Sequence, residues 1–175
     1  MKFENNDAVY QEWHRDAVGG MWDQIGRLQF EFLVSQGLKP WHNFLDVGCG
    51  SLRGGIHFIN YLEGQRYFGV DKDASLLRAA REFELTEALN KKQPRLRQLE
   101  NFEFSVFGTR FDFALAQSVF THLAIGDIAT CLQNIRSVLS DGGKFFVTFF
   151  EMPADRSALE PFTHFPGAIT TFYDK

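Results

Sequence analysis

Residues 44–55, Phe-Leu-Asp-Val-Gly-Cys-Gly-Ser-Leu-Arg-Gly-Gly, lead from an apolar run through a glycine-rich turn into a helix start. In that order a parallel sheet presents backbone N–H groups to a nucleotide-like ligand. Gly48 and Gly50 suit a turn with unusual backbone angles and a ligand that comes closer than a Cβ allows. A second apolar run, Arg66 to Val70, ends in Asp71, about 20 residues past the turn, where a carboxylate can grip two ribose hydroxyls. A third, Phe111 to Ala116, is followed by Gln117, Ser118 and His122. Open parallel sheets bind ligands outside the carboxyl ends of their strands. That edge would collect Asp46, Gly48, Gly50, Asp71, the Glu100-Asn101-Phe102 turn and Gln117-Ser118.

The elements that must carry these residues are legible in outline. Residues 7–36 read as helical, in two pieces broken near Gly19-Gly20, before Gly37 and Pro40 end the second. In that second piece Trp22, Ile25, Leu28, Phe32 and Leu33 fall on one apolar face. Ile56 to Glu63 reads as a short helix stopped by Gly64. Asp73 caps the next, whose buried stripe is Leu76, Leu77, Ala80, Leu85, Ala88 and Leu89, closed by Pro94. A weaker strand follows at Arg95 to Leu99. Ile128, Leu132, Ile135, Val138 and Leu139 predict an amphipathic helix ending at Gly142-Gly143, and Lys144 to Phe150 a last strand. Strands alternating with helices in this rhythm mean an α/β, doubly wound parallel sheet. Residues 152–175 carry three prolines and no regular periodicity.

Composition narrows the classes. A chain of 175 residues, 45% hydrophobic with 20 Phe, fills a globular interior as one domain, residues 1–175. A net charge of −4 argues against a nucleic-acid surface, which needs a concentrated basic stripe. The basic cluster Lys91, Lys92, Arg95 and Arg97 reads as cations favoured at a helix C-terminus. Cys49 and Cys131 lack metal-ligand spacing and read as buried thiols, so no metal is expected. Without a signal-like or membrane-length apolar run, the expected setting is cytoplasmic, with no membrane partner.

Leu45-Asp46-Val47-Gly48-Cys49-Gly50 resembles the first motif of the class I S-adenosylmethionine-dependent methyltransferases, and Phe68-Gly69-Val70-Asp71 their second. Phe111 to His122 resembles the fourth-strand motif, and Leu139 to Gly143 with Lys144 to Phe150 the turn into the fifth strand. These landmarks, in order, span roughly residues 29–151. Two positions depart from the family pattern: Leu52 stands where a third glycine is usual, and Asp141 where a proline is usual. A dinucleotide fingerprint fits less well, since its third glycine would fall on Arg53.

The resemblance implies a Rossmann-like sheet of order 3-2-1-4-5 with N-terminal helices (1–36), a cofactor-binding core (37–151) and an irregular tail (152–175). The antiparallel strand pair that would complete such a sheet looks absent, which leaves the fifth-strand edge open to a homo-oligomer or another cover. It also implies S-adenosylmethionine as cofactor and a small-molecule acceptor. Gly48 and Gly50 would face the methionine part, with Asp46 holding its ammonium group directly or through water, and Asp71 would take the ribose. Lys72 would lie over the adenine, Asn101 and Phe102 would meet its edge, and Gln117 would lie near the carboxylate or sulfonium. His122 is the candidate base for an acceptor that must lose a proton.

Plainer roles stand beside these. Asp46 or Asp71 could serve the turn alone, Lys72 could be solvated surface, Asn101-Phe102 a turn beside a core residue, and His122 a structural histidine. His14, Trp13 and Trp22 sit in the segment that often covers the cofactor in this superfamily, or simply pack a helix onto the sheet. A protein methyltransferase and a non-catalytic binding domain are the alternative functions.

Overall fold

The structure is a computed structural model that describes residues 7–151 and 172–173. Helices α1 (Asp7–Ala17) and α2 (Trp22–Ser35) precede five strands. These are β1 (Phe44–Val47), β2 (Tyr67–Asp71), β3 (Arg95–Gln98), β4 (Phe111–Ala116) and β5 (Leu139–Val147). They form one sheet in the order β3-β2-β1-β4-β5, every pairing parallel, so the Rossmann-like order expected from the sequence is present. Helices α3 (Gly55–Tyr61), α4 (Ala74–Ala79), α5 (Glu87–Asn90) and α6 (Ile125–Val138) lie in the crossovers, except that from β3 to β4, which carries a 3-10 turn, Phe104–Phe107.

Side chains alternate across a strand, so each buried strand feeds two cores. Leu45, Val47, Phe68 and Val70 face α6 with Ile128, Cys131 and Ile135. Phe44 and Tyr67 face the opposite layer with Leu33, Phe58, Ile59 and Leu77. Asp46 shares the strand parity of Phe44, which places a carboxylate under the second layer. Cys49 and Cys131 are buried thiols, and burial pushes Cys131 up to about 12.

Several elements differ from their sequence reading. The buried face of α2 is Trp22, Gly26, Gln29 and Leu33, whereas Leu28 and Phe32 are exposed. The reason is steric: α2 lies so close to α3 that a Cβ on Gly26 would strike the Arg53 carbonyl, and one on Gly54 would strike Gln29. The apolar stripe from Leu76 to Leu89 is three pieces, not one helix. After α4 the chain widens into a π-helical turn, Ala80–Glu84, breaks at Leu85, and restarts as α5 with Thr86 as cap. Helix α6 ends at Val138 and runs directly into β5, so Gly142-Gly143 lies within the strand region rather than at a helix end. The register jumps there, with Phe111 beside Leu139 and Phe113 beside Lys144.

Among the described residues β5 is one edge strand of the sheet and β3 the other. Phe150 belongs not to β5 but to a separate parallel pairing of β6 (Phe150–Glu151) with β7 (Phe172–Tyr173). The rest of the expected irregular tail lies outside the described residues. No helix among the described residues is long and apolar enough to cross a membrane.

Candidate functional site

The glycine turn follows β1 at the carboxyl edge of the sheet. Gly48 (φ 72°) and Gly50 (φ 53°) adopt the left-handed backbone that side chains disfavour. Leu52 does so too, at φ 76°. The missing third glycine therefore leaves the loop's conformation intact, and the leucine side chain is fully buried, leaning on Gly55 and Tyr67's layer. Backbone N–H groups of Gly48 and Cys49 donate to the Val70 carbonyl at 2.8 and 3.0 Å, hooking the turn to β2.

Asp71 closes that hook. Its Oδ2 accepts from the Gly50 N–H at 2.8 Å and its Oδ1 from the Asp73 N–H at 2.8 Å. Burial raises its pKa, and these two donors oppose the rise. Each carboxylate oxygen keeps acceptor capacity beyond one N–H. The acid at the end of β2 thus both shapes the turn and offers acceptors at its rim.

Asp46 is buried behind the turn. Tyr67 donates its hydroxyl hydrogen to Asp46 Oδ2 at 2.7 Å. Burial pushes the Asp46 carboxyl up to about 7; the Tyr67 hydrogen bond opposes the rise, Asp71 adds to it and Arg53 opposes it. Its burial and the neighbouring Asp46 charge push the Tyr67 hydroxyl up in turn.

The N-terminal segment lies against this turn. Ser51 Oγ donates to the His14 carbonyl at 3.1 Å. Arg53 Nη1 donates to the carbonyls of Val18 (2.7 Å) and Gly20 (3.0 Å), and Val18 packs where a Cβ on Gly50 would lie. Further along α1, Arg15 makes a two-pronged pair with buried Glu84 at 2.8 and 3.1 Å, its guanidinium 4.8 Å from the Trp22 ring centre. His14 is wholly buried, stacked on Phe83 and edge-on to Trp13 and Trp22. Neither ring nitrogen of His14 has a hydrogen-bond partner among the described residues, and Nε2 lies 3.6 Å from Glu84.

Sequence reasoning picked out Trp13, His14 and Trp22 but missed Arg53, Tyr67, Arg15 and Glu84. Arg53 directly after the glycine turn was a usable signal. The Arg15–Glu84 pair had none, because charge pairing across the chain is set by the fold.

The remaining expected residues lie along the same edge, each with a local partner. Lys72 is exposed, and its carbonyl accepts from Gln98. Asn101 Oδ1 accepts from the Glu103 N–H at 3.3 Å, an Asx-type turn, and Phe102 (φ 57°) packs on the core with its carbonyl bonded to Asn134. Gln117 donates to Ser118 Oγ at 3.1 Å. His122 is exposed at the end of a 3-10 turn, Phe120–His122, with its N–H on the Val119 carbonyl. No group of His, Cys, Asp or Glu arranged to hold a metal occurs among the described residues.

Residues 45–145 match the family described as a methyltransferase domain. Solved structures share the fold at low identity. The glycopeptide N-methyltransferase MtfA, complexed with S-adenosyl-L-methionine, is 19% identical with a TM-score of 0.62, over 76% of this chain and 57% of its own. The CcbJ methyltransferase from Streptomyces caelestis is 23% identical with a TM-score of 0.62, over 80% of this chain and 53% of its own. Magnesium protoporphyrin IX methyltransferase from Synechocystis PCC 6803, with bound SAM, is 17% identical with a TM-score of 0.56, over 67% of this chain and 54% of its own. The chain spans about half the length of these structures.

Proposed function

This chain belongs to the methyltransferase-domain family, and from that premise we propose that it binds S-adenosylmethionine and transfers its methyl group to a small-molecule acceptor. The observation that carries the reading is the left-handed turn at Gly48 and Gly50, latched to Asp71 at the carboxyl edge of the sheet. The N–H groups of Gly48, Cys49 and Gly50 are spent on Val70 and Asp71, so it is the bare backbone and the acceptors of the turn that suit the cofactor. Exposed Gly48 leaves backbone without a side chain, and Asp71 retains acceptors for ribose hydroxyls.

In this reading Gly48 and Gly50 face the methionine part, and Asp46 lies behind them for its ammonium group. Lys72, Asn101 and Phe102 flank the adenine, and Gln117 lies at the carboxylate or sulfonium. The cofactor supplies an activated methyl group on a sulfonium. The protein's task is then to hold an acceptor in line with it, which alone lowers the barrier substantially. His122, beyond the end of β4, accepts a proton when the acceptor is a hydroxyl or a similar group. A cytoplasmic setting and association through the β5 edge complete the proposal.

Calorimetry with S-adenosylhomocysteine tests it. Asp71→Ala should weaken binding by about tenfold or more, the loss of a charge-assisted hydrogen bond. A melting curve alongside reports how much of that comes from freeing the Gly50 N–H. His122→Ala should keep the affinity while cutting turnover roughly 100-fold on a hydroxyl acceptor. Unchanged affinity in Asp71→Ala overturns the ribose role, full turnover in His122→Ala overturns the base, and a preference for NAD overturns the whole reading.

A further inference from the structure

The opposite edge of the sheet, where the strands begin, holds a second polar constellation. Asn43 precedes β1, Arg66 precedes β2 and Arg95 opens β3, so the order of the strands sets them side by side. They line a cleft of ≈ 310 Å³ together with Gln65, Phe68 and Thr109. The sequence offers no hint of it, because these residues are spread over 66 positions from Asn43 to Thr109. The fold also separates the basic run found in the sequence. Lys91 pairs with Glu87, Lys92 donates to the Leu62 carbonyl, and Arg95 turns to the cleft.

The two guanidiniums are held in place without being neutralised. Arg66 Nη1 donates to Asn43 Oδ1 at 3.0 Å, and Arg95 Nη2 donates to Gln65 Oε1 at 3.3 Å while its guanidinium lies 5.2 Å from the Phe68 ring centre. Neither takes part in an ion pair among the described residues. The carboxylate in this hydrogen-bond network, Asp112, accepts from the Asn43 N–H, and exposed Glu63 makes no ion pair among the described residues. Each arginine has five N–H donors and spends one on these partners. Two cations sharing a cleft, neither in an ion pair among the described residues, form a local excess of positive charge on a chain of net charge −4.

We propose that this cleft is a second ligand site, at the amino edge of the sheet, for the phosphoryl group of a small phosphorylated molecule. Planar guanidiniums match phosphate oxygens two at a time, and the Gln65 amide and Thr109 hydroxyl supply further polar groups, while the Asn43 amide is spent on Arg66, Thr109 and the Arg110 carbonyl and holds the arginine in place. A phosphomonoester carries nearly two charges near neutral pH and three strong acceptor oxygens, which two guanidiniums complement better than a carboxylate does. The volume exceeds that of a phosphate and matches the low end of small-molecule sites, so it also accommodates part of the molecule that carries it. The site is independent of the methyl-transfer reading, since it shares no residue with the glycine-turn edge.

Inorganic phosphate is the probe, in thermal melts and phosphorus NMR titration of the full chain at fixed ionic strength. Phosphate should raise the melting temperature above that in chloride, and Arg66→Gln and Arg95→Gln should each weaken its binding by about tenfold or more. Arg95 is exposed, so its variant carries the test if Arg66→Gln does not fold. S-adenosylhomocysteine affinity in Arg95→Gln should stay at the parent value. Equal stabilisation by chloride or acetate, or phosphate binding retained in Arg95→Gln, overturns the proposal. Loss of phosphate and nucleoside binding together in that variant overturns the separation of the two sites.

Discussion

Asp46 carries an energetic cost of burial, in the same direction as Asp71 and Tyr67 beside it. Its pKa stands raised from 3.8 to about 7 by burial, above the value it has in the unfolded chain. Between roughly pH 4 and 7 the folded state therefore binds more protons than the unfolded one, and stability falls as pH rises through that window. Above it the loss levels off, at a few kcal/mol in order of magnitude. Asp46→Asn keeps an acceptor for Tyr67 and removes the titration. Its melting temperature should vary less between pH 4.5 and 7.5 than the parent's; an identical slope would assign the pH dependence elsewhere. The residues readable from the sequence were those whose meaning is local. Gly48, Gly50 and Asp71 declare themselves through a strand, a turn and a spaced acid. Tyr67, Arg15 and Glu84 do not, since a hydroxyl, a guanidinium and a carboxylate acquire their roles only when distant segments meet.

At the scale of elements the strands were easier to read than the helices. Apolar runs such as Phe44–Val47 and Phe111–Ala116 are buried on both faces, and their composition says so directly. Helix α2 misleads because closeness decides its buried face: Gly26 and Gln29 turn inward while Phe32 lies outside against Phe146. The stripe after Asp73 was real, but continuity of an apolar pattern does not reveal a π-turn or a break at Leu85. Gly26 gives the sharpest check. In an isolated helix Gly→Ala gains about 1 kcal/mol. Here the new Cβ meets the Arg53 carbonyl, so Gly26→Ala should destabilise, by about 2 kcal/mol, and shift α2 from the glycine turn. Denaturant unfolding that reports a gain would refute the close packing of α2 on α3.

On the scale of the molecule, the two ends of one sheet are chemically opposed. The carboxyl edge gathers Asp46 and Asp71 around the glycine turn, while the amino edge gathers Arg66 and Arg95. Strand order, which the family resemblance implies and the structure shows, fixes both edges at once. What each edge collects was half legible, because the motif names the acids and nothing in the linear sequence brings the arginines together.

The pair between Arg15 and Glu84 spans 69 positions of chain, and this gap has a kinetic meaning. Helix α1 precedes the sheet along the chain, yet its docking surface exists only after the glycine turn and the π-turn have formed. Closing so long a loop early gains little against its entropy, so α1 should attach late, after the barrier to folding has been crossed. Glu84→Gln, which weakens the latch by about 1–3 kcal/mol, should then speed unfolding and leave the folding rate nearly unchanged. A chevron in which the folding limb slows instead would make α1 part of the nucleus. If it is the last piece on, it is also the first off, and the cover of the glycine turn loosens well before the sheet beneath it does.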